Sequence, residues 1–250
     1  MDSAVSNMKQ VLSPTNFDPN PVEDAYDKIK KFLADCDDPS LSSAVTESLQ
    51  TMEECFSKYS PGSVSVCFNG GKDCVVMLHI VHAVHQKLFP GHKLKSFYIS
   101  EKKTFAEVDN FMVATIERYG LENKVYQEPM KSALAEMLAA DPEVKATTLG
   151  VRRGDPGSTK MAPFSPTDGD WPTVMRVNPI LTWDYHQVWR FIRALCLPYP
   201  SLYDQGYTSL GNPDNTQPNP ALATTNSAGE VKFQPAYTLL DSGLERQGRR

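Results

Sequence analysis

A glycine pair set between an apolar run and a helical run is the strongest constraint on this chain. Residues 64–74 read Val-Ser-Val-Cys-Phe-Asn-Gly-Gly-Lys-Asp-Cys. Val64, Val66 and Phe68 alternate with other residues, the period of a short strand over 64–68. Beyond the glycines, Val75, Val76, Leu78, Val81, His82 and Leu88 recur with a helical period, so a helix is expected over 72–88. Two glycines let the backbone bend sharply and admit a ligand with no Cβ in the way. Unpaired N–H groups and the dipole at a helix start attract an anion, and Lys72 is expected to add a mobile charge. This favours a nest for a di- or triphosphate. A strand–helix turn with a surface lysine is the plain alternative, and the spacing is not that of a GxxxxGK[ST] loop.

Strand and helix patterns alternate through the rest of the first half. Helices are expected from Pro21 through Leu33 and, capped by Ser40, from Leu41 through Phe56. Strands follow at 95–100, 124–127 and 145–149. Between them lie a helix capped by a Thr104/Glu107 box and another over 130–140. Residues 1–20 read as a loose polar stretch. Alternation of this kind implies an α/β fold, a doubly wound, mostly parallel sheet with helices on both faces. Ligands then sit at the carboxyl ends of the strands, so the loops after Phe68, Ser100 and Leu149 are expected to meet. Residues 1–60 are expected to pack on a core formed by 61–250, one domain overall. After Gly150 the periodicity fades into a proline- and glycine-rich stretch to 182, expected to be a functional loop. A short strand at 175–178 and a helix capped by Thr182 follow, and then a loop-rich tail.

Charge and cysteine usage narrow the function classes. Net charge is −5, which implies no general affinity for nucleic acid or membrane. Anion binding must therefore be concentrated locally. The five cysteines are scattered without a CxxC, as in a reducing compartment, and no apolar run reaches transmembrane length. A cytoplasmic location is the expectation.

Two further stretches carry chemistry. In Gly150-Val-Arg-Arg-Gly-Asp-Pro156, glycine admits a nucleotide, Arg152 and Arg153 can neutralise phosphate, and Asp155 can hold Mg²⁺. A basic solvated turn is the alternative. In the loop 163–176, Asp168, Trp171 and Arg176 suit a planar polar ring with a phosphate tail, while core packing is the commoner fate of a tryptophan. His79, His82 and His85 lie three apart on one helix, a spread that suits packing better than one tetrahedral ion.

The bend resembles the PP-loop of the ATP pyrophosphatase superfamily, usually Ser-Gly-Gly-Lys-Asp-Ser, with Asn69 and Cys74 in the two serine positions. Phe68-Asn-Gly-Gly-Lys-Asp-Cys74 is similar to the form found in eukaryotic-type FAD synthetases (FMN adenylyltransferases). The Gly-x-Arg-Arg-x-Asp-Pro stretch, Ser165-Pro-Thr-Asp168 with Trp171-Pro172 and Arg176, the segment 203–211, and Glu245-Arg246 are similar to that family too, so the resemblance runs from about 64 to 250. Val75 departs from it, since many members have threonine there. The resemblance implies an adenine nucleotide alpha hydrolase-like, Rossmann-like three-layer fold with an irregular C-terminal flavin-binding region. It implies ATP and FMN as substrates, FAD and diphosphate as products, Mg²⁺ as cofactor, and recipient apo-flavoproteins as partners.

Residue by residue, Asn69 and Asp155 are implied as catalytic, Asp155 also as the metal ligand. Phe68, Gly70, Gly71, Lys72, Asp73 and Cys74 belong to the phosphate-holding loop. Ile99 lies at the adenine and Gly150 on the ribose side. Asp168, Trp171 and Arg176 hold FMN, and Arg246 and Arg249 reach back to substrate phosphate. A sulfonucleotide (PAPS) reductase shares the loop but needs a nucleophilic cysteine, and none follows Cys196. A tRNA-modifying relative would want a basic surface or a cysteine pair. A non-catalytic flavin or nucleotide carrier would be expected to lack Asn69, Lys72 or Asp155.

Overall fold

A computed structural model describes residues 22–100, 103–127, 129–227 and 229–250. The expectations of a loose stretch over 1–20 and of Pro21 as a helix opener lie outside them. The sheet is built from β1 (Val64–Cys67), β2 (Lys95–Ser100), β3 (Glu122–Gln127), β4 (Ala146–Thr148), β5 (Phe164–Pro166) and β6 (Met175–Val177). The helices are α1 (Ala25–Asp35), α2 (Pro39–Lys58), α3 (Lys72–Leu88), α4 (Ala106–Arg118), α5 (Met130–Ala140) and α6 (Tyr185–Ala194). Strand order is β3-β2-β1-β4-β6-β5. Every pairing is parallel except β5 against β6. The expected α/β fold with a mostly parallel sheet is therefore present, and β5 adds an antiparallel edge.

Strand alternation divides the core in two. Val64 and Val66 enter a large apolar cluster shared with α1, α2, α3, α4 and α6. Cys67, pointing the other way, packs on a smaller cluster of Phe97, Tyr126, Ala133, Leu134, Met137, Val144 and Val174, where α5 supplies three members. The sheet thus lies between two layers. The helices α1, α2 and α6 pack on α3. Ser48 of α2 donates to the Pro179 carbonyl at 2.6 Å and accepts from the Trp183 indole at 2.8 Å, fastening the N-terminal helices to the core. Burying Leu41, Val45, Leu49 and Met52 contributes about 1.5–3 kcal/mol each.

Several element ends differ from expectation, each for a local reason. Asp38, not Ser40, caps α2, accepting from the Ser40 and Leu41 N–H groups. Pro39 has no N–H to satisfy and suits the first helical position, so the helix opens earlier. Asp184, not Thr182, caps α6 in a full box with Gln187. The Thr104/Glu107 box is absent: Phe105 is the cap residue, and the Thr104 hydroxyl is drawn to Asp109 instead. β3 starts at Glu122 because its pairing with β2 extends over six residues. A hairpin of β7 (Ala223–Thr225) and β8 (Val231–Phe233) lies in the tail, which had read as loop.

The topology fixes where a ligand can enter. From β1 the chain winds outward to β2 and β3, then returns to β4 on β1's other side. The order reverses between β1 and β4, so a crevice opens past their carboxyl ends, at residues 68–71 and 149–153. Among the described residues no helix is long and apolar enough to cross a membrane.

Candidate functional site

The bend after β1 has a conformation that its glycines permit. Gly70 has φ 75°, and a Cβ there would approach Met112 and Val108 of α4 at 3.0 and 3.1 Å. Asn69 Oδ1 accepts the Gly71 N–H at 3.0 Å, closing the turn. The helix α3 then starts at Lys72 with Gly71 as its cap residue and no side-chain cap. Its Lys72 N–H is met from far along the chain by the Tyr203 hydroxyl at 2.9 Å.

The bend touches the other loop of the crevice directly. A Cβ on Gly150 would lie 2.7 Å from Cys74 Sγ and 3.0 Å from the Cys74 backbone nitrogen. Only glycine lets the strand β4 exit pass so close to the start of α3.

Lys72 departs from the mobile charge expected of it. Its side chain is 2% exposed, and its ammonium bonds Glu245 at 2.5 Å and Asp73 at 3.1 Å. Burial disfavours that charge, but the two carboxylates outweigh it and raise the pKa above the ordinary lysine value. Arg152 shares the same partners. Its Nη2 lies 2.7 Å from both oxygens of Glu245, and its Nε lies 3.0 Å from Asp73 Oδ1 without hydrogen-bond alignment. Two cations and the carboxylates of Glu245 and Asp73 thus close a buried network under the bend, with Asp155 3.5 Å from the Arg152 guanidinium. Both cations have carboxylate partners under the bend, where a mobile charge at Lys72 had been expected. Arg153 departs further. It is exposed, and its Nη1 donates to the Thr159 and Met161 carbonyls. Glu245 had been noted only as part of the Glu245-Arg246 resemblance, with no role at the site. A carboxylate in a polar tail carries no local signal, and only the fold brings it to the bend.

One cleft of about 620 Å³ gathers most of the remaining candidates. The bend contributes Asn69, Gly71, Lys72, Asp73 and Cys74; the end of β2 contributes Tyr98 and Ile99; the end of β4 contributes Gly150, with Asp155 just beyond. Asp168, Trp171 and Arg176 face it from the proline-rich loop, and Arg246 and Arg249 from the C-terminal segment. Phe68, Gly70, Arg152 and Arg153 are not part of its lining. Phe68 is fully buried in the large cluster. The apolar wall adds Phe105, Val108, Met130, Leu134 and Met161, none of which had been singled out for the site from the sequence.

Charged groups in the cleft are held by defined partners. Arg176 donates from Nη2 to the Pro166 carbonyl at 2.7 Å and from Nε to the Ser165 carbonyl at 3.3 Å, so β5 aims its guanidinium. Its Nη1 lies 3.5 Å from Asp168, whose side chain is largely exposed. Trp171 is half-buried; it packs on the smaller apolar cluster and also lines the cleft. Arg249 donates to the Leu210 carbonyl, and the space for it exists because residue 211 is glycine: a Cβ there would lie 2.1 Å from Arg249 Nη2. Asp155 Oδ2 accepts the Arg152 N–H at 2.8 Å.

Thiol and imidazole chemistry is set by burial. Burial pushes the Cys67 and Cys74 thiols up to about 12, so neither is a thiolate at neutral pH. Among the described residues no cluster of three or more His, Cys, Asp or Glu side chains can hold a metal. His79, His82 and His85 are buried among aromatics. The His79 Nδ1 lies 3.0 Å from the Tyr119 hydroxyl, and His82 and His85 lie edge-on or tilted to Tyr119, Phe56 and Phe89. Burial lowers His82 and His85 to about 4.

The phosphoadenosine phosphosulfate reductase domain family matches residues 63–143 and 127–218. A probable FAD synthase of Caenorhabditis elegans is 39% identical over 207 residues, covering 82% of this chain and 40% of that protein. One of Schizosaccharomyces pombe is 35% identical over 215 residues, covering 84% and 80%. The chain therefore spans about two fifths of the length of the Caenorhabditis relatives it matches. Among solved structures, Candida glabrata FMN adenylyltransferase in complex with FMN and the ATP analog AMPCPP superposes with TM-score 0.84 at 28% identity, covering 92% of this chain and 98% of that one. The chain belongs to the phosphoadenosine phosphosulfate reductase domain family, among its FAD synthase members.

Proposed function

We propose that this chain is an FMN adenylyltransferase, moving AMP from ATP to the phosphate of FMN to give FAD and diphosphate. The observation that carries the reading is a single cleft faced both by the bend at 69–74 and by Asp168, Trp171 and Arg176. The superposed Candida glabrata enzyme, crystallised with FMN and an ATP analog, supports it.

The chemistry needs alignment more than a base. A phosphomonoester with a second pKa of about 6 is mostly dianionic at neutral pH and is a ready nucleophile. An FMN phosphate oxygen bonds the ATP α-phosphorus, and the bond from that phosphorus to the bridging oxygen of the leaving diphosphate breaks. The protein supplies orientation and charge neutralisation. Asn69 has its Oδ1 engaged by Gly71, which turns Nδ2 into the donor for a reacting phosphate oxygen. Backbone groups of Gly71, Asp73 and Cys74 hold the β- and γ-phosphates. Arg246 and Arg249 add positive charge from the C-terminal segment, beside the paired Lys72 and Arg152. Ile99 and Gly150 flank the adenosine, while Asp168, Trp171 and Arg176 hold the flavin mononucleotide.

Asp155 fits Mg²⁺ as one carboxylate of a site completed by substrate. Its side chain is a quarter exposed in the cleft, one oxygen is held by the Arg152 N–H, and the other is 3.5 Å from the Arg152 guanidinium. Mg²⁺ takes one or two carboxylates together with phosphate oxygens. When bound, the ion withdraws negative charge from the phosphates.

A sulfonucleotide reductase reading lacks its nucleophile: the cleft thiols are protonated, and Cys196 is not part of the cleft lining. Five free cysteines favour a reducing compartment, for which we propose the cytosol, and apo-flavoproteins are the proposed recipients of the product. Incubation with ATP, FMN and Mg²⁺ followed by chromatography tests the function. FAD formation is expected; unchanged FMN would leave only a binding role.

A further inference from the structure

We propose that Glu245 is a positioning residue that seats Arg246 for substrate phosphate, by tying the C-terminal segment to the two buried cations beneath the bend. The inference rests on the reading of the cleft as a nucleotide site.

Glu245 is the hub of the network. One carboxylate binds both the Lys72 ammonium and the Arg152 guanidinium, and its side chain is 13% exposed. The backbone around it is fixed as well. Its carbonyl accepts from Thr208 Oγ1 at 2.6 Å; the Thr208 hydroxyl accepts from the fully buried Asn219 amide, which also donates to the Leu244 carbonyl at 2.8 Å. The next residue, Arg246, faces the cleft. One peptide bond therefore separates a guanidinium at the substrate from a carboxylate locked to the first residue of α3.

Energetics argue that the network sets position. A buried ion cluster is often no more stable than apolar residues of the same volume, while removing one partner is strongly destabilising. The cluster also pairs the charges of Lys72, which lines the cleft, and Arg152, which does not. Arg246 adds to the positive charge that Lys103 and Arg176 bring to the cleft, and its placement depends on whatever anchors the tail to the bend. The side chain of Glu245 makes that connection.

The test is a double-mutant cycle read by calorimetric titration with Mg²⁺–ATP, which does not require turnover. Arg246→Ala is expected to weaken ATP binding about 10- to 50-fold when residue 245 is Glu, and less than about 3-fold in the Glu245→Gln background. Glu245→Gln alone is expected to weaken binding about tenfold or more. A purely structural role would lower affinity while leaving the Arg246→Ala factor unchanged. That result, or tighter ATP binding by Glu245→Gln, overturns the proposal. If Glu245→Gln does not fold, the cycle is run in Lys72→Met/Glu245→Gln, which removes one charge of each sign, with the same criterion. Failure of the unsubstituted protein to form FAD would sink the functional reading and leave this cycle to be judged by itself.

Discussion

The Tyr203 hydroxyl receives the Lys72 backbone N–H at 2.9 Å, across 131 residues of sequence. A tail residue therefore meets the first N–H of the helix that the glycine bend opens. Tyr203 is 1% exposed, and burial, reinforced by Asp73, raises its pKa well above the ordinary tyrosine value, so the phenol stays protonated. Tyr203→Phe leaves a buried N–H without a partner, a loss of about 1–3 kcal/mol. Thermal or denaturant unfolding is expected to show it, and unchanged stability would mean that this bond contributes nothing.

Asn69→Ala removes the donor proposed to face the reacting phosphates. Loss of one preorganised donor costs about 10²–10³ in kcat in comparable sites, and a fall of about that size with little change in KM for ATP is expected. Full turnover would remove Asn69 from the reaction.

Gly150→Ala places a methyl against the Cys74 nitrogen and Cα at 3.0 and 3.1 Å, and backbone there cannot yield as a side-chain tip can. Overpacking of this kind costs about 1–3 kcal/mol. Because the β1 and β4 loops are forced apart, ATP affinity is expected to fall along with stability. Calorimetry that finds ATP binding intact would show that this contact does not shape the site.

Arg176 is aimed by two carbonyls of β5 and sits with Trp171 in the cleft. Arg176→Ala is expected to weaken FMN binding about tenfold or more, the worth of a charge-assisted phosphate contact, with ATP affinity little changed. Equal losses for both substrates would contradict a flavin-side assignment.

His82 and His85 make acid stability a direct readout of burial. Both have folded-state values of about 4 against an ordinary 6.5, so the folded protein binds fewer protons than the unfolded chain. Their contribution is full above pH 6.5 and falls away as pH drops from 6.5 to 4, by roughly 3 kcal/mol per ring at most. Denaturant midpoints are expected to be flat above neutrality and to decline below pH 6.5. A double substitution to apolar residues should flatten that decline, and an unchanged slope would assign it elsewhere.

The parts of this molecule written in local pattern were legible in the sequence. The helix α3 over 72–88, the strand β2 over 95–100 and the helix α5 over 130–140 all follow from periodicity bounded by glycine, proline or a polar turn. The meeting of the loops after β1, β2 and β4 followed from the parallel topology alone. What escaped was set by distant partners. β5 is three residues long, contains Pro166, and exists because β6 offers it an edge. Lys72 read as mobile because nothing near it in sequence announces Glu245, 173 residues away. Arg152 and Arg153 are neighbours in sequence, yet one is buried in an ion network and the other is exposed against carbonyls, a difference no local motif encodes.

The central claim is that one cleft brings the α-phosphorus of ATP to the phosphate of FMN. ATP labelled at the α-phosphorus, incubated with the protein, Mg²⁺ and FMN, measures this most directly. The account expects the label in FAD, one diphosphate released for each FAD formed, and no diphosphate released when FMN is left out. Label recovered as free AMP, or diphosphate release that does not depend on FMN, would contradict it.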